Sequence, residues 1–105
     1  MSSVTGIRFE WDEAQNLANR RKHGVSFDEA SQIFQDPLSV SVKDRVEDGE
    51  QRWQTLGFVG GLLLLVVVHT VREDYDEGTS VEVIRIISAR RATPKERRRY
   101  EEENR

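Results

Sequence analysis

The sequence predicts a single small α+β domain over residues 1–105. Its sheet is mainly antiparallel and twisted, with two N-terminal helices packed on it and a third helix at the C-terminus. Three features carry that prediction. Helix-start residues stand at Asp12, Ser26 and Thr93. Alternating or continuous apolar runs of strand length fill the middle of the chain. Hairpin signals, Asp48-Gly49 and Gly60-Gly61, lie between those runs.

Ile7 to Trp11 is apolar and aromatic enough for a short strand. Asp12 then fits an N-cap, because its carboxylate can accept from the free amides of a first helical turn. A helix follows from Glu13 to about His23, with Ala14, Leu17 and Ala18 at helical spacing and Gly24 as its left-handed stop. Ser26-Phe27-Asp28-Glu29 is a capping box, and the second helix presents Phe27, Ala30, Ile33 and Phe34 on one face before ending at Asp36-Pro37.

Leu38 to Lys43 alternates apolar and polar residues, as a half-buried strand does, and Gln51 to Phe58 is the strand that returns after Asp48-Gly49. Leu62 to Thr70 is continuous in Leu and Val, which suits a central strand covered on both faces. An acidic loop, Glu73 to Ser80, leads to a last strand, Val81 to Ala89. Strict alternation there puts Ile84, Ile86, Ser88 and Arg90 on one face and Val83, Arg85, Ile87, Ala89 and Arg91 on the other. Thr93-Pro94-Lys95-Glu96 is a second capping box with proline at the first helical position, so the final helix runs from Pro94 toward Glu103. Residues 1–6 and 102–105 are expected to fray.

Composition narrows the chemistry. The chain has no cysteine, which removes disulfides, thiolate nucleophiles and cysteine zinc sites. Its two histidines, His23 and His69, lack metal-ligand spacing, and no cofactor is expected. The longest apolar run, Leu62 to Val68, is far below the roughly 20 residues that cross a bilayer. Met1 to Gly6 lacks the regions of a signal peptide, so the expected location is cytoplasmic. A net charge of -3 argues against general nucleic-acid binding. The distribution is uneven, however. Acids crowd Asp44 to Glu50 and Glu73 to Glu82, whereas Arg85 to Arg99 is strongly basic, a pattern that suggests one surface for an anion and another for a basic partner.

Within that basic stretch Arg85 interrupts an apolar row, and Arg90 and Arg91 end the strand beside the start of the final helix, where amides favour anions. His69, at the end of the central strand, is followed by Arg72. His23 and Lys22 close the first helix, where cations also suit the helix dipole. Arg97, Arg98 and Arg99 cannot share one direction, because successive residues turn about 100° around a helix.

The segments Phe9-Glu10-Trp11-Asp12, Asn19 to Phe27, Phe34-Gln35-Asp36-Pro37 and Arg85 to Ala92, with Glu96-Arg97 and Tyr100, resemble the BrnT toxin family in order over nearly the whole chain. The sequence departs from it at Gln15, where lysine is frequent. The resemblance implies a RelE-like fold, the toxin half of a type II toxin-antitoxin pair, RNA cleavage and blocked translation. It also implies a BrnA-type antitoxin of the ribbon-helix-helix class, through which alone operator DNA is bound, in a complex that represses its own operon. For a metal-independent ribonuclease, His69 or His23 would transfer protons with Lys22 as helper. Arg85 would bind the transition state, and Arg72, Ser88, Arg90 and Arg91 would bind RNA phosphates. The competing expectation is a non-catalytic module whose basic face serves an acidic protein partner.

Overall fold

In a computed structural model, residues 6–105 are described. The elements are β1 (Ile7–Glu10), α1 (Glu13–His23), α2 (Phe27–Ser31), a 3-10 turn (Gln32–Gln35), β2 (Val40–Glu47), β3 (Glu50–Val59), β4 (Leu63–Asp76), β5 (Thr79–Arg91) and α3 (Pro94–Glu103). The five strands form one sheet in the order β1-β5-β4-β3-β2. β1 runs parallel to β5, and the other neighbours are antiparallel. The predicted element order and α+β class therefore hold.

The front face of the sheet carries α2 and the 3-10 turn. Phe27, Ala30 and Ile33 bury against Leu65, Val67, Ile84, Ile86 and Ala89. On the back face α3 covers Leu56, Leu64 and Val66 through Tyr100. Leu64 to Val67 is thus buried on both sides, which is why that run has no polar residue. Tyr100 donates to Asp36 at 2.7 Å, and the same carboxylate accepts from the Phe58 amide, so the stop of the second helical segment also fixes α3. Asn104 donates to the carbonyls of Leu38 and Tyr100.

Four expectations need correction. Ala14, Leu17 and Ala18 of α1 are exposed rather than in the core. The helix is held instead by Asn16, whose side chain accepts from the Phe27 amide, and by buried Asn19. The second helix is α only to Ser31 and then tightens, bringing Ile33 against Gly57. The segment Glu73 to Ser80 is not a loop, because β4 and β5 continue through it to a turn at Glu77-Gly78, both with positive φ. Finally, β5 does not alternate strictly. Val68 pairs with Ser88 and His69 with Ile86, so Ile87 is an extra residue in a bulge. Beyond it the faces exchange: Ala89 joins Ile84 and Ile86 at the front, and Ser88 and Arg90 join Arg85 at the back.

Candidate functional site

Among the described residues β1 pairs with Glu82 to Arg85, so β5 beyond Arg85 has no strand on that side. α1 takes the vacant place. The Asn19 side chain donates to the Ala89 carbonyl at 2.8 Å and accepts from the Ala89 amide at 3.1 Å, imitating a strand partner, and donates to Val25 O at 2.9 Å. This fixes the end of α1 against the bulge. A recess of about 260 Å³ opens there, lined by Gln15, Ala18, Lys22, His23, Ile87 and Ser88. Three residues singled out in the sequence, Lys22, His23 and Ser88, therefore meet at one edge. Lys22 is exposed and His23 half-buried.

Ser88 also belongs to the back face, where it joins the recess to a polar, arginine-rich surface. Successive rows across that face are Leu56, Val66 and Arg90; then Gln54, Val68 and Ser88; then Thr70 and Arg85; then Arg72 and Val83. The bulge is what puts Arg85, Ser88 and Arg90 together. Arg90 forms a two-pronged pair with Glu96, at 2.7 and 2.9 Å. That arginine, with the Thr93 amide, holds the Glu96 carboxyl down at about 2. Arg72 makes a two-pronged pair with Glu10, which lowers the Glu10 pKa despite some burial. Arg85 stands 3.7 Å from the same carboxylate, a looser contact that leaves its guanidinium half-exposed. Of the three, Arg85 is the best placed to accept an anion. Arg91, after the bulge, is exposed on the opposite face from Arg90.

His69 is elsewhere. It lies on the front face, 3% exposed, with the Phe34 ring edge-on at 5.0 Å. Nδ1 faces the Thr70 carbonyl at 3.3 Å, which makes it the protonated nitrogen. Nε2 then accepts from Thr55 Oγ1 at 2.7 Å, and Thr55 in turn accepts from Ser41 at 2.7 Å. Burial lowers its pKa, only partly offset by the Thr70 carbonyl. The structure does not bring His69 to Lys22, His23 or Ser88.

The arginines of α3 divide as their helical spacing requires. Arg97 lies over the Phe58 ring at 5.5 Å, while Arg98 and Arg99 line a solvent-facing flank with Glu96 and Glu102. Glu10, Asn19 and Glu96 were missed as site residues. All three fall within the segments that carry the family resemblance, but an acid that orients arginines carries no signal of its own until the strands are paired.

The family described as "Ribonuclease toxin, BrnT, of type II toxin-antitoxin system" matches residues 11–96. Among solved structures, the crystal structure of the Brucella abortus ribonuclease toxin BrnT is similar in fold over 87% of this chain and 99% of that chain. The two share 19% sequence identity, with a TM-score of 0.51. No curated protein matches the chain in sequence.

Proposed function

The chain belongs to the BrnT family of ribonuclease toxins of type II toxin-antitoxin systems, and from that premise we propose that it cleaves RNA without a metal ion at the edge where α1 meets the β5 bulge. The observation that carries this reading is the meeting of Lys22, His23 and Ser88 in one recess that opens onto the face bearing Arg85 and Arg90.

In the reaction, a ribose 2′-OH gives its proton to a base, its oxygen bonds to the adjacent phosphorus, and the bond to the 5′-oxygen breaks as that oxygen takes up a proton. The products are a cyclic phosphate and a free 5′-hydroxyl. His23 is the proton-transfer group, because its imidazole lines the recess beside Lys22 and Ser88. Lys22 supplies an ammonium beside it. Arg85 takes the charge that grows on the phosphoryl oxygens, with a planar fork that matches two of them. Ser88 and Arg90 hold neighbouring phosphates, and Arg72 supports the site through Glu10. Arg91, outside the recess, meets phosphates that pass to the front.

Cleavage of cellular RNA would block translation. In this reading a BrnA-type ribbon-helix-helix antitoxin neutralises the chain, the pair represses its own operon, and both act in the cytoplasm. Among the described residues, no helix is long and apolar enough to cross a membrane.

The test is cleavage of naked RNA by the purified chain in excess chelator. His23→Ala and Arg85→Ala should each lower the rate by about 100-fold or more, while His69→Gln stays within about threefold. Unchanged cleavage in both alanine variants would remove the assignment. Loss of wild-type cleavage on chelation would remove metal independence alone.

A further inference from the structure

Beyond the reach of α2, no helix among the described residues covers the front face of the sheet, although Ser80 there is buried. β4 and β5 run on past His69 and Ile84 to the Glu77-Gly78 turn, and the helices stop short of them. The register places Val71 opposite Ile84, Tyr75 opposite Ser80, Val46 opposite Gln51 and Ile7 beside Glu82, all on this face. Their exposures are 39% for Val71, 66% for Tyr75, 63% for Val46 and 51% for Ile7. Single exposed apolar residues are ordinary, whereas several on one uncovered face mark a contact surface. Among them a recess of about 250 Å³ is walled by Ile7, Phe34, Trp53, Val71 and Ile84, with Glu82 at its margin.

The charge at this end is acidic. Glu73 and Glu82 lie on this face, and Glu77 and Asp48 stand at the two hairpin turns, whereas Asp74, paired with Arg8, and Asp76 lie on the back. Lys43 is the nearby strand cation on the front, and Arg45 pairs with Glu47. Such a rim repels RNA phosphates and anionic lipid. A second copy of the chain would bring the same acids against it.

We propose that this face docks a basic amphipathic segment of the antitoxin. Apolar side chains of the segment fill the recess, and its lysines or arginines meet Glu82 and the acids of this face and of the hairpin turns. The proposal rests on the toxin-antitoxin reading above, and it separates the antitoxin's seat from the RNA-cleaving edge. The notion of an acidic partner on the basic face is thereby reversed in sign and moved to the other side of the sheet.

The wild-type chain and the variants Val71→Asp, Tyr75→Ser and Glu82→Lys are titrated with the purified antitoxin at low and high salt, and RNA cleavage by each free chain is measured in parallel. Val71→Asp and Glu82→Lys should weaken the complex by about tenfold or more, Tyr75→Ser by about threefold, with cleavage held within about twofold. Wild-type affinity should fall with salt more steeply than that of Glu82→Lys. Affinities unchanged in Val71→Asp and Glu82→Lys would overturn the docking face while leaving the antitoxin pairing intact. A wild-type chain that binds no antitoxin would overturn both. Self-association abolished by Val71→Asp, with antitoxin affinity unchanged, would assign the face to a second copy and overturn the proposal. If lost cleavage shows that Val71→Asp does not fold, the exposed Tyr75 and the marginal Glu82 decide the question alone.

Discussion

His69 is buried, neutral and hydrogen-bonded at both ring nitrogens, and burial holds its pKa below the ordinary histidine value. The consequence for stability has a definite sign. Above about pH 6.5 both folded and unfolded chains carry the neutral ring, and the contribution is fully present. As pH falls below that value, the unfolded chain binds a proton that the folded ring resists, so stability drops until the folded pKa is passed. His69→Gln, which offers Thr55 an acceptor but does not titrate, should therefore flatten the fall in Tm between pH 7 and pH 5, read by circular dichroism. An unchanged slope would mean that another group sets it. From sequence alone His69 and His23 were equivalent candidates, because a strand end and a helix end are both places where a histidine can serve chemistry. What separates them is a neighbour 14 residues away, Thr55, and the Phe34 ring. Asn19 was equally silent, since nothing local says that an asparagine will stand in for a strand.

At the scale of elements, the caps were legible because their chemistry is local. Asp12, Ser26 and Thr93 each accept from the amide three residues on, as predicted. The bulge at Ile87 was not legible, because one extra residue in a run of Ile, Ser, Ala and Arg leaves the composition unchanged while exchanging the faces. The acidic hairpin was misread for a related reason: exposed strands rich in Asp and Glu look like loops when their pairing partner is unknown. Gly57 illustrates a contact between elements. A Cβ there would lie 2.9 Å from both the Cβ and the carbonyl oxygen of Ile33, so the 3-10 turn sits directly on the β3 backbone. Its φ lies outside the positive region, so space rather than backbone strain is what excludes a side chain. Gly57→Ala should lower stability by about 1–3 kcal/mol by urea denaturation, the cost of pushing a packed element away. A loss below about 0.5 kcal/mol would show that the turn moves freely.

For the molecule as a whole, the sheet is a platform with one half covered by helices and, among the described residues, one half without them. Its net charge of -3 is a sum over two unlike regions rather than a property of either. Acids concentrate on the two hairpin tips, whereas the edge recess and the adjoining back face carry Lys22, His23, Arg85 and Arg90. The two arginines are held differently: Arg90 is neutralised by a close, two-pronged Glu96, while Arg85 has only a long contact to a carboxylate already engaged by Arg72. RNA bound at this edge would therefore displace counterions from few phosphates. With two or three neutralised, and about 0.7 per phosphate for a single strand, the logarithm of affinity should fall with the logarithm of salt with a slope of roughly -1.5 to -2. Arg85→Ala should reduce that slope by about 0.7, whereas Glu82→Lys, on the far half of the sheet, should leave it unchanged. A wild-type slope steeper than about -4, or a slope that responds to Glu82→Lys, would place RNA across the acidic half as well and would contradict the division of the sheet into a cleaving edge and a docking face.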